Sequence, residues 1–228
     1  MLASASSRIM SPQLHVAPPP FSHIPHQVVT SARESEIYAE GSAATHVYQV
    51  ISGTLRTAKL LADGRRQLGA FVFAGEWVGF DGGPRHFYAA EAVTEARLLS
   101  FTRRDLDRLM AHDQDVARMI QDVLCGTLAS AHERIVSLGR KTAIERVAGF
   151  LIDVEGRIDV RGKNGFLLPM SRADMADYLG LTVETVSRTL GELRRRHVVA
   201  LEDAHHLRII DATLLSELAG EEARRYCA

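Results

Sequence analysis

The sequence has only two cysteines, no apolar run long enough to span a membrane and almost no net charge. Each of these features makes certain classes of protein improbable. Cys125 and Cys227 stand in unrelated contexts, so neither a CxxC metal site nor a disulfide framework is expected. The first 25 residues lack the basic segment and continuous apolar segment of a secretory signal. We therefore expect a cytoplasmic protein with no membrane partner. With a net charge of -1, nucleic-acid binding would have to depend on local charge.

The apolar pattern divides the 228 residues, enough for two domains, into regions of different period. Residues 1–26 are rich in Ser, Pro and Ala and are expected to form a flexible leader. In the domain expected over residues 27–112, short apolar stretches alternate with glycine-containing turn signals, which predicts an antiparallel sandwich or barrel. A connecting helix is expected over residues 113–139 and a second domain over residues 140–228.

From about Thr102 to Leu138 the apolar residues recur at helical spacing. They form two stripes, one of Val116, Ile120, Val123 and Thr127 and the other of Leu124, Leu128, Ala131, Ile135 and Leu138. Two stripes give one long helix a face for its own barrel and a face for a partner, and we assign the first stripe to dimerisation. The periodicity leaves open an alternative, a single amphipathic helix folded back on its own domain.

The segment from Ser171 to Arg196 predicts two short helices that cross steeply. Ser171 followed by Asp174 starts the first, and Gly180 permits the positive φ of a tight turn. Thr182 caps the second helix, which begins at Val183. Upstream, Thr142 and Glu145 form a T-x-x-E capping box that opens another helix. This order predicts a helix-turn-helix.

The second of these helices carries residues suited to reading DNA. Glu184, Ser187 and Arg188 lie at i, i+3 and i+4, so they share one face of its N-terminal half. Arg can bond bidentately to guanine, Glu can accept from cytosine N4, and Ser can bond to several bases. The complete predicted DNA-binding set is Ser171, Arg172, Thr182, Glu184, Thr185, Ser187, Arg188 and Arg195.

The end of this helix is basic. Arg194, Arg195 and Arg196 suit phosphate contacts, although such a run alone is also typical of a solvated surface helix. Downstream, VVAL (198–201) and LRII (207–210) flank a polar turn and predict a β-hairpin. The unit is therefore expected to be a winged helix-turn-helix.

After about His26 the sequence closely resembles the CRP/FNR family of bacterial transcription regulators. The resemblance is carried by Tyr38 to Gly41, the VYQVISGT run around Gly53, DGRRQ, GEWVGF, and GRKTAIERVAGFL leading into YLGLTVETVSR. It implies an α+β protein: an N-terminal β-roll sensor domain, resembling a double-stranded jelly roll, then a long dimerisation helix and a C-terminal winged helix-turn-helix.

Within this family, E-T-V-S-R resembles the reading helix of the FNR and FixK type. This implies that Glu184, Ser187 and Arg188 recognise a TTGAT half-site paired with ATCAA. The CRP branch has Arg where this chain has Val183 and Gly where it has Ser187, so the CRP half-site TGTGA is not expected.

Two family motifs are missing. FNR proteins hold an iron–sulfur cluster on cysteines, three of them N-terminal, whereas residues 1–26 here contain none. CRP binds cAMP through a Gly-Glu-Leu stretch and a later Arg-Ser or Arg-Thr pair, whereas this chain has GEWVGF and then Arg85-His86. No cofactor is therefore expected, and the chain resembles the FixK group. That group implies an activator of low-oxygen or nitrogen-metabolism genes whose partners are double-stranded DNA, RNA polymerase and a second copy of the chain.

The sequence is compatible with two other functions. The β-roll is a possible pocket for an unidentified small molecule, which would make the protein a ligand-gated regulator. A cupin-like enzyme with a fortuitous helical tail is the second alternative, but only His46 and His86 are available as histidine ligands in the barrel. We expect no catalytic residue, no metal site and no enzymatic activity.

Overall fold

The structure, a computed structural model, describes residues 25–158, 165–203 and 205–220. Most of the leader expected over residues 1–26 lies outside the described residues, as does Cys227.

In the part of the N-terminal domain that the structure describes, eight strands form two four-stranded antiparallel sheets. The strands are β1 (Gln27–Ser31), β2 (Glu36–Tyr38), β3 (His46–Ser52), β4 (Leu55–Leu60), β5 (Arg66–Val72), β6 (Trp77–Val78), β7 (Ala89–Ala92) and β8 (Ala96–Thr102). One sheet has the order β1-β8-β3-β6 and the other β2-β7-β4-β5. Val50 and Leu98 of the first sheet share a buried cluster with Leu55 and Ala90 of the second. The two-sheet architecture confirms the antiparallel sandwich or barrel expected from the sequence.

The turn from β3 to β4 requires a glycine. Gly53 has a φ of +89°, and a Cβ there would lie 2.3 Å from the carbonyl oxygen of Glu95. Any larger residue would therefore have to displace the backbone on which the two sheets meet.

The apolar residues from about Thr102 to Leu138 lie on two helices, and the second of them spans almost the same residues as the connecting helix expected over residues 113–139. They are α1 (Arg103–His112) and α2 (Gln114–Arg140). Asp113 separates them in an extended conformation, and its carboxylate accepts from the backbone N–H groups of Asp115 and Val116 at 3.0 and 3.1 Å. Because an N-cap residue has non-helical backbone angles, α1 ends at the residue that caps α2.

The first apolar stripe of α2 packs against its own domain. Val116 and Ile120 are each 1% exposed and lie in a cluster with Val47, Trp77 and Phe101. Their assignment to a partner is wrong, because side chains buried within one chain have no surface left for a second.

The remainder of that stripe differs. Val123 is half-buried beside the same cluster, whereas Thr127 is exposed and donates its hydroxyl to the Val123 carbonyl at 2.9 Å. Neither therefore offers a large apolar surface to a partner.

The second apolar stripe of α2 is the exposed one. Leu124, Leu128 and Ile135 are 42%, 57% and 68% exposed. Several large apolar side chains in a row are unusual on a solvent-exposed helix face. Such a patch is typical of a surface that binds another protein or another part of the chain. None of the helices in the described ranges has the length and apolar character needed to cross a membrane.

The C-terminal domain consists of four helices and a three-stranded sheet within the described residues. Its elements are α3 (Ala143–Arg157), β9 (Phe166–Leu167), α4 (Arg172–Leu179), α5 (Val183–Arg195), β10 (Val199–Leu201), β11 (His206–Ile209) and α6 (Ala212–Leu218). The sheet has the order β10-β11-β9. Leu151 of α3, Met175 of α4 and Leu190 of α5 are fully buried in one cluster, so the helices share a core.

The two domains also pack on each other. The ring of Phe71 in β5 lies 5.1 Å from that of Tyr178 in α4 and 6.0 Å from that of Phe150 in α3, measured between centroids. The helix-turn-helix is thus seated on the β4-β5 side of the sheet domain. The whole arrangement confirms the α+β class.

Thr142→Ala is expected to lower the free energy of unfolding by about 1 kcal/mol, because it removes the N-cap of α3. The Thr142 hydroxyl accepts from the Glu145 N–H and donates to the Glu145 carboxylate, which in turn accepts from the Thr142 N–H. Denaturant unfolding measures the change. Ser130→Ala, an exposed hydroxyl deletion in mid-helix, is the control. An equal loss in both variants would remove the capping explanation.

Candidate nucleic-acid interface

Local hydrogen bonds set the angle between α4 and α5. The Ser171 hydroxyl accepts from the Asp174 N–H at 3.0 Å and donates to its carboxylate at 2.7 Å, which caps α4. Gly180 ends α4 with a φ of +62°. Thr182 then caps α5 by accepting from the Thr185 N–H at 3.2 Å. Each of these features follows the sequence expectation.

The two faces of α5 differ in burial. The face toward the domain core is buried and consists of Val186, Thr189, Leu190 and Leu193. The predicted reading residues Glu184, Ser187 and Arg188 are all exposed. Because the buried face fixes the rotation of the helix about its axis, these three side chains are held on the outer surface by the packing beneath them.

Glu184 lies in the first turn of α5. Its own backbone N–H and the Thr182 hydroxyl hold the pKa of its carboxyl below the usual range. The group is therefore an anionic acceptor at neutral pH, in the state required to accept a hydrogen bond from cytosine N4.

The residues predicted at the helix starts have structural contacts of their own. Ser171 and Thr182 are exposed, but their hydroxyls act as N-caps, and Thr182 also donates to the Thr185 hydroxyl at 3.1 Å. Arg172 is half-buried with its guanidinium 3.3 Å from the Met175 sulfur, and burial lowers the pKa of Arg172. Their first role is thus to shape α4 and α5, and their contact with DNA stays a prediction.

The C-terminal end of α5 presents unequal arginines. Arg194, Arg195 and Arg196 are all exposed, but Arg196 is ion-paired with Glu192 one turn earlier. Arg195 forms only a long bond, 3.4 Å, to the Gly191 carbonyl among the bonds described. Arg195 is therefore better placed than Arg196 to contact a DNA phosphate.

The sheet domain buries the histidine that follows Arg85 in the sequence. His86 is 4% exposed, and its Nδ1 lies 2.6 Å from the Asp81 carboxylate. Its ring stacks on Tyr38 with centroids 3.7 Å apart, and burial raises the pKa of Tyr38. Trp77 is buried and Phe80 packs against the same cluster, as expected of core residues.

Sequence reasoning missed a set of arginines that join the two domains. Arg56 in β4 and Arg66 in β5 bond to α4, and Arg157 in α3 bonds to Glu76 of the sheet domain. One signal was present: Arg56 stands among strand residues whose neighbours are apolar or small, where an unpaired charge would be costly.

A two-sheet domain connected by a long helix to a winged helix-turn-helix, whose second helix exposes Glu, Ser and Arg, defines a DNA-binding transcription regulator. Comparisons with known proteins agree with this class. Residues 28–113 match the model of the cyclic nucleotide-binding domain, and residues 145–218 match that of the Crp-like helix-turn-helix domain.

Relatives extend the match to almost the full chain. The nitrogen fixation regulation protein FixK of Rhizobium meliloti is 39% identical over 96% of this chain and 99% of its own length. The transcriptional activator protein FnrL of Cereibacter sphaeroides is 34% identical over 80% of this chain and 76% of its own. The solved structure of FixK2 from Bradyrhizobium japonicum is 39% identical and superposes with a TM-score of 0.82 over 86% of this chain and 98% of that one.

The chain therefore belongs to the CRP/FNR family of transcription regulators and, within it, to the FixK type.

Proposed function

We propose that this regulator binds, as a homodimer, a palindromic site of the form TTGAT-N4-ATCAA and activates genes of low-oxygen or nitrogen metabolism. The observation that carries the proposal is the exposed trio on α5, since Glu184, Ser187 and Arg188 project together from a helix whose opposite face is fully buried. The gene class is suggested by the FixK and FnrL relatives, which are named for nitrogen fixation regulation and transcriptional activation.

The chemistry of the trio suits the half-site. Arg188 can donate two hydrogen bonds to the O6 and N7 of the guanine in TTGAT, and Glu184 can accept from N4 of the cytosine across the pair. Ser187 can bond to either kind of neighbouring base. Arg195 adds a phosphate contact that fixes the helix in the groove without reading sequence.

The second apolar stripe of α2 supports the dimer. Leu124, Leu128, Ala131, Ile135 and Leu138 follow steps of four and three, the spacing that packs one helix against a copy of itself. A two-fold axis through this stripe would place two reading helices on one face of the dimer, to match the symmetry of a palindrome.

The remaining partners follow from this role. An activator at a promoter contacts RNA polymerase, and a regulator of bacterial genes works in the cytoplasm. The protein acts by binding alone, without catalysis and without a cofactor, so its activity is set by the amount of protein, its turnover or modification of its side chains.

A DNA-binding titration at fixed salt tests the proposal. The protein, free of ligand and exposed to air, is titrated against TTGAT-N4-ATCAA, against a TGTGA-type palindrome and against a scrambled duplex. We expect the first duplex to bind more tightly than the scrambled one by on the order of 1,000-fold or more. Equal binding to the first two would contradict the proposed half-site, and binding to none would contradict a regulator that needs no effector.

A further inference from the structure

Asp174 of α4 is held by two arginines of the sheet domain. Its Oδ1 accepts from Arg56 at 3.1 Å and from Arg66 at 2.6 Å. Its Oδ2 is used by Ser171 in the cap of α4. Arg66 also donates to the Asp177 carboxylate at 2.9 Å, one turn farther along the same helix. Arg56 of β4 and Arg66 of β5 thus bind two successive turns of α4 through Asp174 and Asp177, and we call these four residues the domain grip.

The ion pair between Arg56 and Asp174 is the buried part of the domain grip. The side chains of Arg56 and Asp174 are 7% and 4% exposed. Arg56 is oriented in turn by Glu91 at 2.7 Å and Glu34 at 2.6 Å. Burial opposes ionisation of Asp174, but the Ser171 hydroxyl and the Arg56 guanidinium outweigh it and lower the pKa of the carboxyl.

Buried ion pairs contribute little net stability, because the cost of removing two charges from water offsets their attraction. Their directional bonds instead favour one geometry over others, since a rotated domain would leave charges unpaired. An apolar contact such as Phe71 against Tyr178 tolerates sliding, whereas the bonds from Arg66 to two carboxylates do not.

The contacts of the domain grip do not cover the outer face of α5. While α4 is held by Arg56 and Arg66, the side chains of Glu184, Ser187 and Arg188 on α5 remain exposed. α4 and α5 are joined by a three-residue turn and share the buried core, so fixing α4 fixes α5 as well.

We propose that Arg56 and Arg66 are positioning residues for DNA recognition, which hold the helix-turn-helix through Asp174 and Asp177 in the orientation that fits DNA. The inference rests on the proposed dimeric binding. A dimer must insert two reading helices into successive major grooves at once, and domains that rotate freely lose orientational freedom on binding at the expense of affinity.

Arg66→Gln tests the inference, with Arg65→Gln as the matched control. Both remove one positive charge from adjacent residues, but Arg65 is 77% exposed and pairs with Asp63 in its own turn. We expect Arg66→Gln to weaken binding to the proposed site by roughly 3- to 30-fold and Arg65→Gln to leave it unchanged. Arg66→Lys, which keeps the charge but not the fork of donors, is expected to lie between.

The salt dependence of binding distinguishes positioning from direct contact. An arginine that touches a phosphate contributes about one unit to the slope of log K against log salt, whereas a positioning residue contributes nothing. We expect Arg66→Gln to keep the slope of the unaltered protein. A slope lowered by about one, a loss equal to that of Arg65→Gln, or tighter binding would each overturn the inference.

A second variant and a measurement without DNA complete the test. Asp177→Asn removes the contact from the α4 side and must reproduce the loss in affinity. Small-angle X-ray scattering of the DNA-free protein is expected to give a larger radius of gyration for Arg66→Gln than for Arg65→Gln, and equal radii would overturn the inference. If the unaltered protein does not select TTGAT-N4-ATCAA while the radii still differ, the proposed site fails and the domain grip stands.

Discussion

Arg188→Ala is expected to weaken binding to TTGAT-N4-ATCAA by about 1–3 kcal/mol per half-site, which is roughly 5- to 150-fold. The side chain is exposed on α5 one turn after Glu184, and its helix is held by a fully buried opposite face. Removing it should take away the bidentate bonds to guanine and leave the fold intact. The same titration, repeated on duplexes with each base at the guanine position, measures the loss and the relaxation of preference.

Arg195→Ala is the control for charge. Arg195 is an exposed arginine of the same helix, two turns farther along, and is proposed to contact phosphate only. Its loss is expected to weaken binding to every duplex about equally and to lower the salt slope by about one. If Arg188→Ala also weakened binding equally on all sequences, α5 would not be reading bases through Arg188, and the half-site assignment would fail.

Local sequence signals predicted the geometry of the helix-turn-helix because this motif depends on short-range chemistry. The cap at Ser171, the left-handed turn at Gly180 and the cap at Thr182 each involve residues no more than four apart, so the local sequence is enough to predict these hydrogen bonds. The period of three and four then separates the buried and exposed faces of α5. Glu184, Ser187 and Arg188 lie on the exposed face, as those two signals predict, and their contact with bases stays a prediction.

The environment of a helix face is not a local property. The stripes of α2 look alike in sequence, yet Val116 and Ile120 fill the sheet domain whereas Leu124 and Leu128 remain exposed. Apolar spacing specifies that a face is covered but not by what, so the sequence assigned to a partner a stripe of which Val116 and Ile120 are buried in their own domain. The helical spacing of apolar residues runs through Asp113 without interruption, and the cap at Asp113 separates α1 from α2 at the boundary expected between residues 112 and 113.

The arginines between the domains show the same limit over a longer range. Arg56 and Asp174 are 118 residues apart, and neither neighbourhood in sequence indicates the other. Only the packing of β5 against α4 brings them together. The ion pair between the two domains therefore depends on the tertiary structure and not on any one motif. The sequence pattern of α5 is recognisable without Arg56, although Arg56 binds the neighbouring helix α4.

Leu128→Glu is expected to raise the dissociation constant of the dimer on the order of 100- to 1,000-fold, because two-fold symmetry counts the substitution twice. Leu128 is 57% exposed in one chain and lies in the middle of the second stripe of α2. In a symmetric helix pair it would face its own copy, so the variant removes two apolar contacts and places two negative charges together. Sedimentation across a dilution series measures the shift, and affinity for the palindrome should fall toward that for a single half-site.

Ala129→Glu adds the same charge at the next residue, which is also exposed but lies off the stripe. It is expected to leave both the dimer and the affinity for the palindrome unchanged. Should Leu128→Glu remain a dimer, the two-fold axis cannot run through this stripe. A dimer lost equally in both variants would mean that charge on α2, rather than the apolar stripe, governs association. Monomeric Leu128→Glu that still bound the full palindrome as tightly as the unaltered protein would contradict recognition by a dimer.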